Sequence, residues 1–137
     1  MSKAEPLIQK YMTSAPHSVD AGKTVKEAEQ MMSDLKIRHL PVMKDGALFG
    51  ILSDRDLKMA MAFFDVDSKL VKVADICKEQ PFIVSPDALL HEVLDDMATH
   101  HYGSALVVQN HKLVGIFTTV DACRGFSKIL QQRFHEG

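Results

Sequence analysis

The chain contains no tryptophan, two tyrosines and two cysteines. Cys77 and Cys123 are far apart in sequence and form no CxxC pair, so neither a disulfide framework nor a zinc site is indicated. Long apolar runs are missing as well. The strongest cluster, Ala60-Met61-Ala62-Phe63-Phe64, falls far short of the roughly 18 residues that a membrane span needs. The opening Met-Ser-Lys-Ala-Glu-Pro has no apolar stretch of the kind a secretory signal carries. A cytoplasmic protein that does not enter a membrane is therefore expected. No charge of one sign dominates: 16 Lys and Arg stand against 18 Asp and Glu, for a formal charge of −2. That balance lacks the basic face a nucleic-acid binder uses, so nucleic acid is not an expected partner. The seven histidines (His17, His39, His91, His100, His101, His111 and His135) are scattered, and none falls in an H-E-x-x-H pattern. No metal site is expected.

What the chain does have is an internal repeat. Its 137 residues, 46% hydrophobic and 25% charged, suit one compact protein that buries roughly 68% of its unfolded surface. A shift of 65 residues superposes 8–57 on 73–122 without a gap and gives nine identities, among them Pro16/Pro81, Glu27/Glu92, Gly50/Gly115, Ile51/Ile116 and Asp56/Asp121. Chance would give about three at average composition. Conservative pairs such as Leu52/Phe117 and Ser53/Thr118 keep the same register. One supersecondary unit is used twice.

Each unit reads as β-α-β-β-α. In the first, His17-Ser18-Val19 is a short strand. Thr24-Val25-Lys26-Glu27 is a capping box, and Val25, Ala28, Met32 and Leu35 recur at helical spacing to about Lys36. His39–Met43 and Ala47–Leu52 read as buried strands joined by the turn Lys44-Asp45-Gly46. Ser53-Asp54-Arg55-Asp56 opens the next helix. The second unit repeats this with a strand at Phe82-Ile83-Val84, a helix over about 87–99, strands at 104–108 and 113–117, and a final helix from Thr118. The expected division is 1–64 for the first repeat with an N-terminal helix, 65–72 for a polar connector, and 73–137 for the second repeat with a C-terminal helix. The fold class is α/β (α+β), with two repeats packed about a pseudo-twofold axis.

Arg38-His39-Leu40-Pro41-Val42, Gly50-Ile51-Leu52-Ser53-x-x-Asp56 and Gly115-Ile116-Phe117-Thr118-x-x-Asp121 resemble the cystathionine-β-synthase (CBS) domain, here as a tandem pair or Bateman module. The resemblance covers roughly residues 7–127. It implies a stand-alone, non-catalytic regulatory module that senses adenosyl compounds (AMP, ADP, ATP or S-adenosylmethionine) in clefts between repeats. No cofactor is required beyond that ligand, and whether Mg²⁺ travels with it is open. By the family pattern Asp56 and Asp121 accept hydrogen bonds from the ribose hydroxyls, with Ser53 and Thr118 close to ribose or phosphate. Asp56 would face Lys78, Phe82, Ile83 and Tyr102. Asp121 would face Thr13, Ser18, Ile37 and Arg38. Arg38 and His39 would reach phosphate. The family also implies a homodimer and a downstream protein target outside this chain.

The chemistry is consistent with that pattern. A carboxylate offers several lone pairs to two adjacent hydroxyl donors, and a hydrogen bond to a charged group contributes about 1.5–3 kcal/mol. The helix that follows presents free N–H groups and the positive end of its dipole to a phosphate. The same [ST]-x-x-D residues also serve as an ordinary helix cap, and Gly50 and Gly115 suit close strand packing as well as ligand approach. Phe82, Ile83 and Ile37 fit a plain core role, and Tyr102 fits either a base stack or a core cap. The second repeat has Tyr102-Gly103-Ser104 where the first has Ile37-Arg38-His39, so two sites would differ in phosphate chemistry. The terminal helix carries an apolar stripe at Phe126, Ile129, Leu130 and Phe134, and Met59, Met61, Phe63 and Phe64 form a second apolar group; each fits core or interface. The alternatives are a structural or protein-interaction module with degenerate sites, and a small nucleotide-acting enzyme using Asp54 with Asp56, or Cys77 with a histidine.

Overall fold

The computed structural model describes residues 4–64, 67 and 69–135. Asp65, Val66 and Ser68 of the expected connector lie outside the described residues. Two compact units form, one from Met1–Pro16 with Phe82–Gly137 and the other from His17–Pro81. These units cut across the sequence repeats, because each takes in the leading segment of the other repeat.

The 17–81 unit is built on a three-stranded sheet of order β2-β3-β4, from Val19–Asp20, His39–Lys44 and Ala47–Ser53. β2 runs parallel to β3, and β3 runs antiparallel to β4. Helix α2 (Val25–Leu35) crosses from β2 to β3. It starts as its sequence demands: the Thr24 hydroxyl accepts from the Glu27 N–H at 3.1 Å, while the Glu27 carboxylate accepts from the Thr24 N–H at 3.3 Å. It ends at Lys36, whose φ of 55° is left-handed. Val25, Ala28 and Met32 project from its inner face into a core with Val19, Leu40, Val42, Leu52 and Leu57. Helix α3 (Asp54–Phe64) follows β4 directly, and a single turn, α4 (Val73–Ile76), closes the unit.

The 1–16/82–137 unit has a four-stranded sheet of order β1-β7-β6-β5, from Thr13–Ser14, Lys112–Thr118, Ser104–Gln109 and Ile83–Val84. Its short helix α1 (Ile8–Tyr11) corresponds to α4, its α5 (Leu90–His100) to α2 and its α6 (Thr119–Phe134) to α3. The 65-residue register holds down to backbone detail. His101 ends α5 at φ 59° as Lys36 ends α2, and Asn110 and His111 turn the hairpin at positive φ as Asp45 and Gly46 do. The same bulge falls at Val42/Met43 and at Val107/Val108.

The leading segments are fastened by equivalent bonds. In the 17–81 unit Val25 N–H donates to Val71 at 2.8 Å and Val73 N–H to Lys23 at 2.8 Å. In the other, Ile8 N–H donates to Ala88 at 2.8 Å and Leu90 N–H to Pro6 at 3.0 Å. Further along, Ile51 and Lys78 exchange two backbone hydrogen bonds at 2.9 Å, and Thr13 pairs with Ile116. The two glycines of the repeat lie beneath these crossings. A methyl group on Gly50 would drive into the Lys78 carbonyl, and one on Gly115 into the thioether of Met12. The glycines therefore serve close packing of chain on chain.

This difference in obstacle makes a prediction. Gly50→Ala meets fixed backbone, and overpacking of that kind costs about 1–3 kcal/mol. Gly115→Ala meets the end of a flexible side chain that turns aside. In urea unfolding, Gly50→Ala should lose more stability than Gly115→Ala; the reverse order would show that the Lys78 crossing yields.

Candidate functional site

The two copies of the [ST]-x-x-D motif fold alike and end up differently. At α6 the Thr118 hydroxyl accepts from the Asp121 N–H at 3.3 Å, and Asp121 Oδ2 accepts from the Thr118 N–H at 2.9 Å and its hydroxyl at 3.2 Å. The other oxygen, Oδ1, accepts from the Thr13 hydroxyl at 3.1 Å. Asp121 is buried, at 8% exposure. At α3 the Ser53 hydroxyl accepts from the Asp56 N–H at 3.0 Å. The Asp56 carboxylate is exposed, and among the described residues it accepts no hydrogen bond. The position equivalent to Thr13 is Lys78. A neutral hydroxyl therefore occupies the second carboxylate, while the first shares its pocket with an ammonium group.

Two pockets flank α3 within the 17–81 unit. One, of about 650 Å³, is lined by Asp56, Lys78, Asp75 and Cys77 together with Met59 and Ala60. The other, of about 450 Å³, brings together Arg38, His39 and Ser53 and adds Arg55 and Lys58. Met59 borders both. Arg55 and Lys58 are absent from the residues singled out from sequence. Their i,i+3 spacing, which puts both on one helix face, is the signal that could have found them. Lys58 forms an exposed ion pair with Asp54 at 3.0 Å.

Of the other expected site residues, Ser18 is exposed just before β2, and Ile37 packs against the core of the 17–81 unit. In the 1–16/82–137 unit, Phe82 packs on the core and stacks on Tyr102 with ring centroids 4.8 Å apart. His100 stacks on the same tyrosine at 5.1 Å. Ile83 is 51% exposed. The apolar stripe of α6 divides: Ile129 packs inward, while Phe126, Leu130 and Phe134 face solvent. Met61 packs on the core of its unit, whereas Met59 and Phe63 are exposed.

Burial holds His39 below the ordinary imidazole value of 6.5; Asp56 opposes the shift, Arg38 adds to it and Asp54 opposes it. Burial, then Glu79 and Asp75, push the Cys77 thiol up, away from the thiolate that a nucleophile needs. Among the described residues no group of three or more His, Cys, Asp or Glu side chains is placed to hold a metal ion. No described helix is long and apolar enough to cross a membrane.

The family model for the CBS domain matches residues 8–62 and again 73–128. The chain belongs to the CBS domain family. This tandem CBS pair is 29% identical over 121 residues to hypoxic response protein 1 of Mycobacterium tuberculosis, covering 82% of this chain and 85% of that one. AcuB from Vibrio cholerae shares its architecture at 28% identity with a TM-score of 0.85, covering 95% of this chain and 96% of that one. The CBS domain pair of protein MJ0100, solved in complex with 5′-methylthioadenosine and S-adenosyl-L-methionine, superposes with a TM-score of 0.83 at 22% identity, covering 91% of this chain and 98% of that one. At that identity the likeness is one of fold.

The His39 environment carries a pH signature. A histidine whose folded pKa lies below its unfolded value binds fewer protons when folded, so stability falls as pH drops below about 6.5 and levels off below the folded value. His39→Gln should remove that contribution and leave the opposite slope of His91, raised by its hydrogen bond to Glu5, in urea midpoints between about pH 5 and 8. An unchanged profile would mean that His39 does not titrate low.

Proposed function

We propose that this CBS pair is a non-catalytic regulatory module that senses adenine nucleotides, with Asp56 as the acceptor for the ribose diol. The observation that supports this is the exposed Asp56 carboxylate, without a hydrogen-bond partner among the described residues, in the first turn of α3. The two hydroxyls of a ribose supply the donors such a carboxylate lacks. Ser53, Lys78, Arg38 and His39 stand in the pockets on either side of the helix. The MJ0100 pair was solved with two adenosyl compounds, which share the adenine and the ribose with its diol. Phe82, Ile83 and Tyr102 belong to this reading as the residues the family pattern assigns to the adenine. Thr118, Asp121, Thr13, Ser18 and Ile37 belong to a second site. Asp121 is already satisfied by Thr13 and Thr118, so one bound nucleotide per chain is favoured.

Regulation would follow from population shift. A ligand moves an equilibrium between arrangements only by its difference in affinity for them. A cytoplasmic homodimer is part of the reading, with the exposed Phe126, Leu130 and Phe134 available to it.

Calorimetry of the full chain with AMP and ATP tests the site. Asp56→Ala should weaken binding about tenfold or more. Asp121→Ala should instead cost about 0.5–2 kcal/mol of stability through the lost cap and leave the Asp56 site able to bind. Equal affinity in wild type and Asp56→Ala would sink the assignment. Sedimentation should show a dimer that Phe126→Ser with Phe134→Ser turns into monomer; an unaltered dimer would place the interface elsewhere.

A further inference from the structure

The pocket on the Arg38 side of α3 has a charge character of its own. The chain as a whole is acidic by two charges, yet among the described residues this pocket collects Arg38, Arg55 and Lys58 against the carboxylate of Asp54, with Asp56 near enough to act on His39. Arg38 and Arg55 make no ion pair among the described residues. Lys58 is paired only with Asp54, in a pair whose lysine is 70% exposed. Exposed pairs of this kind contribute little, so the ammonium swings to a stronger anion at small cost. Ser53 lines the same pocket, and its hydroxyl accepts from the N–H of Asp56 one turn into α3. The carboxylate proposed to hold a ribose and the three cations therefore share one helix start.

The family pattern already puts phosphate beside Arg38 and His39; we infer that Arg55 and Lys58, on the same pocket, are specificity-determining residues, and that the site selects phosphorylated adenosines over the cationic sulfonium of S-adenosylmethionine. The inference rests on the adenine-nucleotide reading above and narrows it. A guanidinium matches two phosphate oxygens at once, and an ammonium adds a compact point charge. Three cations around one cavity reward each added phosphate, so affinity rises from AMP to ADP to ATP. S-adenosylmethionine carries a positively charged sulfonium sulfur on C5′, where a nucleotide carries its phosphate ester oxygen. It meets repulsion from the same side chains.

The test is calorimetry of the full chain at fixed salt with ATP, S-adenosylmethionine and inorganic tripolyphosphate, on wild type and on Arg55→Gln with Lys58→Gln. Both substituted residues are exposed, and a thermal melt confirms that the variant folds. The expected result is ATP at least tenfold tighter than S-adenosylmethionine, and a loss of tenfold or more for ATP and for tripolyphosphate in the variant. ATP binding that stays within twofold in the variant, or S-adenosylmethionine binding as tightly as ATP, overturns the inference and leaves the nucleotide reading standing. Tripolyphosphate binding that depends on Arg55 and Lys58, with no adenosyl compound bound, keeps the anion pocket and refutes the nucleotide reading. Failure of both ATP and tripolyphosphate to bind refutes both.

Discussion

Lys78 and Ile51 hold each other by two backbone hydrogen bonds across a glycine, and much of the 17–81 unit follows from that crossing. The bonds satisfy groups that would otherwise be orphaned at the edge of a sheet. They also fix where the side chains of residues 77 and 78 stand, beside Asp56 in one pocket. The equivalent crossing, Thr13 against Ile116 over Gly115, sets the Thr13 hydroxyl on Asp121. Hydrogen bonds of the main chain, indifferent to side-chain identity, thus deliver a different side chain to each carboxylate.

That indifference is how one motif yields two environments. In the second copy a threonine satisfies the acid from within the protein, and a buried carboxylate with both oxygens engaged is a structural element. In the first copy the acid is left exposed, with an ammonium in its pocket. Its helix then carries Arg55 and Lys58 on the neighbouring face, where the second copy has Val120 and Cys123. Duplication preserved the backbone and let polarity diverge along α3 and α6.

Much of this was legible in the residues themselves. The capping box Thr24-Glu27, the helical spacing of Val25, Ala28 and Met32 and the Asp45-Gly46 turn are local signals, and the structure forms each of them. The left-handed ends at Lys36 and His101 keep the 65-residue period, although no residue type there announces them. The ownership of the leading segments showed in no periodic pattern; only the family resemblance set Thr13 against Asp121 and Lys78 against Asp56. Pairing of Thr13 with Ile116 joins residues too distant for any periodic pattern to register. The contrast between Asp56 and Asp121 was hidden for the same reason, since it depends on what the crossing segment brings and not on the motif.

The segment that carries Thr13 has one more consequence, for the order of synthesis. Residues 17–81 are contiguous and have every strand of their sheet in hand once that stretch has been made. Thr13 is made earlier still, but its acceptor on Asp121 follows 108 residues later. At roughly 5–20 residues per second, the ribosome leaves the first strand without a partner for roughly 5–20 s.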